Sequence, residues 1–315
     1  MAKNAQLERM QETIGEVLFG KEETVELVMV GLLCRGHVLL EDVPGTGKTM
    51  LAKSIAKSIK GNFNRIQFTP DVLPSDVTGV EHYNPAEEKF QLRKGPIMTN
   101  ILLADEINRA TPKTQSSLLE AMEERQVTIE GQTLPIDAPF IVLATQNPIE
   151  SHGTFPLPEA QMDRFLLQIR TGYPTRKEEK RMLERYRKEE PIEMLEPVMD
   201  LSDILEMQEQ VKEVMLSEDV TDYLLNIVEA TRNSEFIEIG VSPRGTLGFM
   251  RSVQAKAFIE GREYATPEDV KSLAQSVLAH RLVLSMEGEI RKTKDQLLLE
   301  LLDGIEVPVE AGGRK

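Results

Sequence analysis

The sequence predicts an α/β protein, with a five-stranded parallel sheet covered by helices on both faces and a smaller, all-helical domain after it. Three observations predict this. Short apolar runs alternate with helical patterns through the first half of the 315 residues, the mark of parallel strands buried on both faces. A glycine-containing turn follows the first of these runs and leads into a helix-favouring segment, Met50 to Lys60. After Gly172-Tyr173-Pro174 the strand pattern stops and helical periodicity continues alone.

Taken in order, strands are expected over 37–41, 65–69, 99–105, 140–145 and 165–169, and helices over 21–34, 48–60 and 113–125. Two segments break the rhythm. Between 70 and 98 stand Pro70, Pro74, Gly79, Pro85, Gly95 and Pro96, too many breakers for a crossover helix. Residues 127–139 alternate polar and apolar side chains and read as a hairpin turning at Glu130-Gly131. Both read as insertions on the α/β core, and long insertions in compact domains are commonly functional. Beyond 175 the pattern predicts helices over 219–232, 243–260 and 267–279. The last two open with Ser242-Pro243 and Thr266-Pro267, each an N-cap followed by proline at the first helical position. The expected organisation is a nucleotide-binding core over 1–174, a helical domain over 175–309 and a loose tail over 310–315.

The chemistry is concentrated in Glu41-Asp42-Val43-Pro44-Gly45-Thr46-Gly47-Lys48-Thr49. A strand that turns through Gly-x-Gly-Lys-Thr into a helix can close backbone N–H groups around a β-phosphate, and the helix start adds its positive dipole end. Lys48 would reach the β- and γ-phosphates and the Thr49 hydroxyl would hold Mg²⁺. Asp42 stands where the general pattern has its first glycine. Ile101-Leu102-Leu103-Ala104 then runs into Asp105-Glu106. Such a pair could be only a helix N-cap with an acidic first turn. About 55 residues after a phosphate loop, the spacing of successive βα pairs, it reads instead as a metal-holding carboxylate, Asp105, and a water-polarising one, Glu106. The expected reaction is hydrolysis of a nucleoside triphosphate.

Three further residues fit that reaction. Asn147 closes the fourth strand in Ala144-Thr145-Gln146-Asn147-Pro148 and is aimed at the γ-phosphate region, since ligands of parallel sheets bind beyond the carboxyl ends of strands. Arg164 precedes the fifth strand, as a transition-state finger or as the salt-bridge partner of Asp163 or Glu159. Arg244 sits in the first turn of a helix, where a cation opposes the dipole, which points to a specific anion partner. Arg109 and Arg125, flanking the helix after the acidic pair, are weaker subunit-interface candidates.

Composition bounds the rest. A net charge of −15 argues against tight general nucleic-acid binding. Cys34 is the only cysteine, which fits a reducing cytoplasm. No apolar run after Met-Ala-Lys suggests a secretory signal, and the longest apolar stretch, 27–34, is too short to cross a membrane. The four histidines show no ligand-like spacing.

The chain resembles the MoxR family of AAA+ ATPases over about 19–284. The segments that carry the resemblance are Asp105-Glu106-Ile107-Asn108-Arg109-Ala110-Thr111-Pro112-Lys113, Ala121-Met122-Glu123-Glu124-Arg125 and Leu157-Pro158-Glu159-Ala160-Gln161-Met162-Asp163-Arg164-Phe165. The resemblance implies an AAA+ P-loop core with a helical lid, a helix-2 insert at about 70–98 and a pre-sensor hairpin at 127–139. It implies Walker A at Lys48 and Thr49, Walker B at Asp105 and Glu106, sensor 1 at Asn147, an arginine finger at Arg164 and sensor 2 at Arg244. The nucleotide would be ATP with Mg²⁺, held by Pro44, Gly45, Thr46, Gly47, Lys48, Thr49, Met50 and Asp105. Val17, Phe19 and Gly20 match the segment that packs near adenine in such proteins. Glu150-Ser151-His152-Gly153 departs from the family's usual Glu-x-Glu-Gly. With Arg164 completing a neighbour's site and Arg244 clamping the lid on ATP, the implied assembly is a hexameric ring. Its implied work is remodelling a partner protein, often one with a von Willebrand factor A domain. Alternatives are a metal-chelatase ATPase subunit, a nucleic-acid motor, for which no DNA-binding domain is recognisable, and a nucleotide-gated scaffold without turnover.

Overall fold

The computed structural model describes residues 4–41, 45–147 and 153–308. Asp42, Pro44, Glu150, Ser151, His152 and the tail over 310–315 lie outside the described residues. In chain order the strands of the first half are β1 (Val38–Glu41), β2 (Phe63–Gln67), β3 (Gly79–Asn84), β4 (Lys89–Lys94), β5 (Ile101–Asp105), β6 (Gln126–Ile129), β7 (Gln132–Pro135), β8 (Ile141–Gln146) and β9 (Leu167–Ile169). Five of them form one sheet in the order β2-β5-β8-β1-β9, and every pair in it is parallel.

The apolar runs are continuous because both faces of the sheet are covered. Val38 and Leu40 of β1 face one apolar cluster while Leu39 faces another. Leu103 and Leu102 of β5 divide the same way, as successive side chains of a strand must. The first cluster continues through the helix Glu22–Leu33 into the lid helices Pro243–Ile259 and Pro267–Leu278, so core and lid share one apolar interior. The second fills the space between the sheet, the helix Pro112–Glu124 and the β6–β7 hairpin.

Both insertions are hairpins. Residues 74–78 make one short helix, and β3 and β4 then pair antiparallel from Gly79↔Lys94 to Asn84↔Lys89. The neck of this hairpin admits no side chain. A Cβ on Gly79 would lie 2.5 Å from the Arg93 carbonyl oxygen, and one on Gly95 would lie 2.3 Å from that of Val77. β6 and β7 turn at Glu130 and Gly131, both at positive φ, as the sequence predicts.

Differences from the expected elements have local causes. The second strand spans 63–67 rather than 65–69, because its register against β5 runs Phe63↔Ile101 to Gln67↔Asp105. The fifth keeps only residues 167–169, since Phe165 and Leu166 are spent on carbonyl contacts to His280 and Arg281. A helix over Ala5–Gly15, capped by Asn4, was not legible from periodicity; it buries just Leu7, Met10 and Ile14. The lid is helical and also carries a short antiparallel pair, Ile237–Ile239 with Val283–Leu284.

Candidate active site

The carboxyl ends of β1, β5 and β8 converge on a cavity of about 430 Å³ lined by Gly45, Gly47, Lys48, Thr49 and Met50, by Asp105 and Glu106, and by Arg65, Gln67, Thr145 and Asn147. Gly45 (φ 86°) and Gly47 (φ 90°) take left-handed backbone that turns the chain from β1 into the helix Lys48–Ser58. The first residues of that helix, Lys48, Thr49 and Met50, line the cavity, and an anion there would complete the unpaired N–H groups of a helix start. Thr46 lies just behind, in a small pocket with Leu18, Lys21, Thr24, Leu51 and Thr171.

Opposite the loop, β5 delivers its two acids. Asp105 Oδ1 accepts a hydrogen bond from Thr145 Oγ1 at 2.6 Å, and Asp105 Oδ2 pairs with Arg65 at 2.6 Å. Glu106 takes φ 58°, ψ 50°, a left-handed conformation that costs a non-glycine residue energy and points to a functional constraint. Its backbone N–H is held by Thr145 Oγ1 at 2.8 Å, and its carboxylate lies 3.0 Å from Arg109 Nε. Asn147 is 6 % exposed, with its carbonyl accepting from Asn108 Nδ2 at 3.4 Å. Sequence reasoning missed Thr145 and Arg65. The signals were a hydroxyl within an apolar strand and a basic residue on β2, the edge strand beside β5.

The donor set fits a magnesium nucleotide. Thr49 and Asp105 line one cavity, and among the described residues no three His, Cys, Asp or Glu side chains converge to hold a metal alone. An ion here would draw its remaining ligands from phosphate and water, the usual habit of Mg²⁺.

Val17, Phe19 and Gly20 separate. Val17 is core. Phe19 and Gly20 line a surface pocket with Glu178 and Arg181, away from the phosphate loop. Their neighbours Leu18 and Lys21 face Gly47 and Lys48 instead. Lys21 Nζ donates to the Thr171 and Gly172 carbonyls at 2.8 and 2.7 Å, which fixes this segment to the end of β9.

Arg164 and Arg244 are brought together, but not here. Both pair with Glu123: Arg164 Nε to Oε2 at 3.2 Å and Arg244 Nη1 to Oε1 at 3.0 Å. They line a separate cavity of about 480 Å³ with Gly36 and His37, which precede β1, and Leu166, which precedes β9. That is the amino end of the strands, whereas the phosphate loop follows their carboxyl end. Four strand residues separate the two along β1, roughly 13 Å. Arg244, the expected sensor 2, therefore lies far from its own subunit's phosphate loop. The cause is a core–lid joint: Asp163 accepts from Ser242 Oγ at 3.0 Å and from the buried Arg281 Nε at 2.8 Å, and Arg281 also donates to the Phe165 and Leu166 carbonyls. Burial lowers Arg281 to about 10, against the opposing pull of Asp163, so it stays charged at neutral pH. Neither acid suggested for Arg164, Asp163 or Glu159, is its partner. Arg125 turns the other way and donates to the carbonyls of Phe140 and Arg35.

With this geometry in hand, relatives decide the family. The family described as "ATPase family associated with various cellular activities (AAA)" matches residues 37–167, and the "AAA lid domain" family matches 229–301. Chaperone MoxR1 of Mycobacterium tuberculosis is 42% identical over 291 residues, covering 90% of this chain and 77% of that protein. The chain belongs to the MoxR family of AAA+ ATPases. Protein MoxR of Paracoccus denitrificans is 30% identical across 98% of this chain and 97% of its own length. An uncharacterized Bacillus subtilis protein, YeaC, is 48% identical over 95% of the chain and 94% of its own length. Among solved structures, a candidate ATPase from Cytophaga hutchinsonii superposes with a TM-score of 0.90 at 36% identity, covering 97% of this chain and 96% of that one. As a MoxR-family ATPase, the chain hydrolyses ATP on an AAA core carrying an AAA lid. No helix among the described residues is long and apolar enough to cross a membrane.

Proposed function

We propose that this MoxR-family ATPase works as a homo-oligomeric ring, most simply a hexamer, in which each nucleotide pocket is completed by Arg164 and Arg244 of the neighbouring subunit. The observation that carries this reading is the placement of both arginines at the amino end of the strands, beyond reach of their own phosphate loop. A monomer then holds all parts of the site except the cations that stabilise transition-state charge, worth ~10³-fold or more in rate. The domain division we adopt is 1–174 and 175–309, with the tail after it.

The chain's own residues take distinct roles. Lys48 and the N–H groups after Gly45 and Gly47 hold the β- and γ-phosphates. Thr49 and Asp105 would hold Mg²⁺, and the ion would supply charge neutralisation at the phosphates. Glu106 polarises the attacking water and Asn147 orients it. Thr145 keeps Asp105 and Glu106 in register.

The work done with ATP, we infer, is remodelling or activation of a partner protein in the cytoplasm. Support comes from the chaperone name of a 42% identical relative and from the β3–β4 hairpin, which exposes Tyr83 and Phe90 as an edge-to-face pair 5.4 Å apart. A partner bearing a von Willebrand factor A domain follows from the family resemblance. The β3–β4 hairpin is linked to the site: Thr114, on the helix after Glu106, donates to the Val72 carbonyl at 2.9 Å, just before the segment leading into β3.

ATPase rate against protein concentration tests the ring. Specific activity that rises with concentration in the wild type, and stays low and flat in Arg164→Ala while ATP still binds, supports it. A concentration-independent rate indifferent to the substitution overturns it.

A further inference from the structure

Resting on that reading, we infer that Glu123 is a positioning residue for the arginine pair. Its carboxylate is divided between two guanidiniums, Oε2 to Arg164 at 3.2 Å and Oε1 to Arg244 at 3.0 Å. The first comes from the core and the second from the lid. One side chain therefore sets the spacing of two cations borne by different domains.

Three observations make this more than a surface ion pair. Glu123 lies in the last turn of the helix Pro112–Glu124, which carries no basic residue there. An acid at a helix C-terminus faces the negative end of the dipole and is disfavoured unless cations answer it. Next, the cavity wall is rich in cations: Arg164, Arg244, Arg251 and Arg281 line it beside the acids Glu123 and Asp163, while Arg35, also on the wall, is paired with Glu209. Asp163 is already committed to Arg281 and Ser242, which leaves Glu123 to hold the two cations side by side. Finally, the Arg164 contact runs through Nε, so the Nη1 and Nη2 edge of that guanidinium remains for a second anion. A fork held from behind in this way suits a phosphoryl group.

Without Glu123, two flexible, mutually repelling side chains would have to be ordered by the incoming phosphate itself. Most of that ordering would then be paid in the transition state, where alignment matters most. The loss should fall on kcat rather than on ATP binding, because the nucleotide's own ligands lie at the other end of the strands.

The test uses the full chain, with kcat, KM for ATP and assembly by sedimentation measured on Glu123→Gln, Glu123→Asp and the neighbouring control Glu124→Gln. We expect Glu123→Gln to lower kcat about tenfold, with KM within twofold and assembly unchanged, Glu123→Asp to recover part of the rate, and Glu124→Gln to match the wild type. Glu123→Gln combined with Arg244→Ala should lose less than the product of the two single losses. An unchanged or raised kcat, a loss that tracks failed assembly, or multiplicative losses in the double variant would each overturn the assignment. If Arg164→Ala and Arg244→Ala themselves keep the wild-type rate, it is the ring reading that fails.

Discussion

Thr145 Oγ1 lies 2.6 Å from Asp105 Oδ1, donating to it, and accepts the Glu106 backbone N–H at 2.8 Å. One buried hydroxyl on β8 therefore fixes both acids that end β5. Its position follows from sheet order, because β8 pairs directly with β5 in the register Ala104↔Ala144.

Replacing Thr145 by Val keeps the strand shape and deletes this tether. The Glu106 N–H would lose its acceptor, and the carboxylate would lose its register with the attacking water. We expect kcat to fall ~10- to 100-fold with ATP affinity changed little, and Thr145→Ser to restore most of it. Steady-state rates beside a fluorescent-nucleotide titration check this; a Thr145→Val enzyme with normal kcat would remove the tether from the mechanism.

Arg65 gives a second expectation. It sits 2.6 Å from Asp105 Oδ2, so a cation already occupies the flank of the carboxylate that Mg²⁺ would use. Like charges at this range repel appreciably even when partly solvated. Arg65→Ala should lower the Mg²⁺ concentration for half-maximal hydrolysis by roughly threefold. Magnesium titrations at saturating ATP measure this, and an unchanged or raised requirement would assign Arg65 to the nucleotide instead.

Acid sensitivity follows from two buried histidines. His37 accepts the Val142 N–H on Nδ1 at 3.0 Å and meets the Met122 carbonyl with Nε2 at 3.0 Å, an arrangement satisfied only by the neutral ring. Burial, aided by the charge of Arg125, holds it down to about 3. Burial likewise holds His280 well below the ordinary value. Both folded values lie below the unfolded value near 6.5, so their contribution is fully present above that pH and is lost as pH falls below it. Between pH 7 and 5.5 each should cost about 1 kcal/mol of stability. Urea unfolding at the two pH values, with m unchanged, reads the difference; a midpoint constant over this range would contradict neutral burial.

Much of the core was legible because its residues answer to local rules. Gly45 and Gly47 mark the loop, the apolar runs mark the strands, and Glu130-Gly131 marks a turn; the structure bears out all three. Asp105, Glu106 and Asn147 share the cavity with Lys48 and Thr49 because parallel strands deliver their carboxyl ends to one edge. What the sequence did not reveal depends on contacts between distant segments. Thr145 and Arg65 acquire roles only through the order β2-β5-β8. The partner of Arg164 is 41 residues away, and the place of Arg244 depends on Ser242 and Arg281 meeting Asp163 across the domain joint. No periodicity within a helix encodes that joint.

The most direct measurement mixes two inactive chains. Arg164→Ala retains a complete phosphate loop and lacks the finger, whereas Lys48→Ala keeps the finger and lacks the loop's lysine. If catalysis crosses the subunit interface, ATPase activity should appear on mixing, peak at intermediate ratios and exceed the sum of the separate rates severalfold. A mixture that co-assembles yet hydrolyses no faster than its parts would show that Arg164 does not serve a neighbour's nucleotide, and the ring mechanism would be wrong.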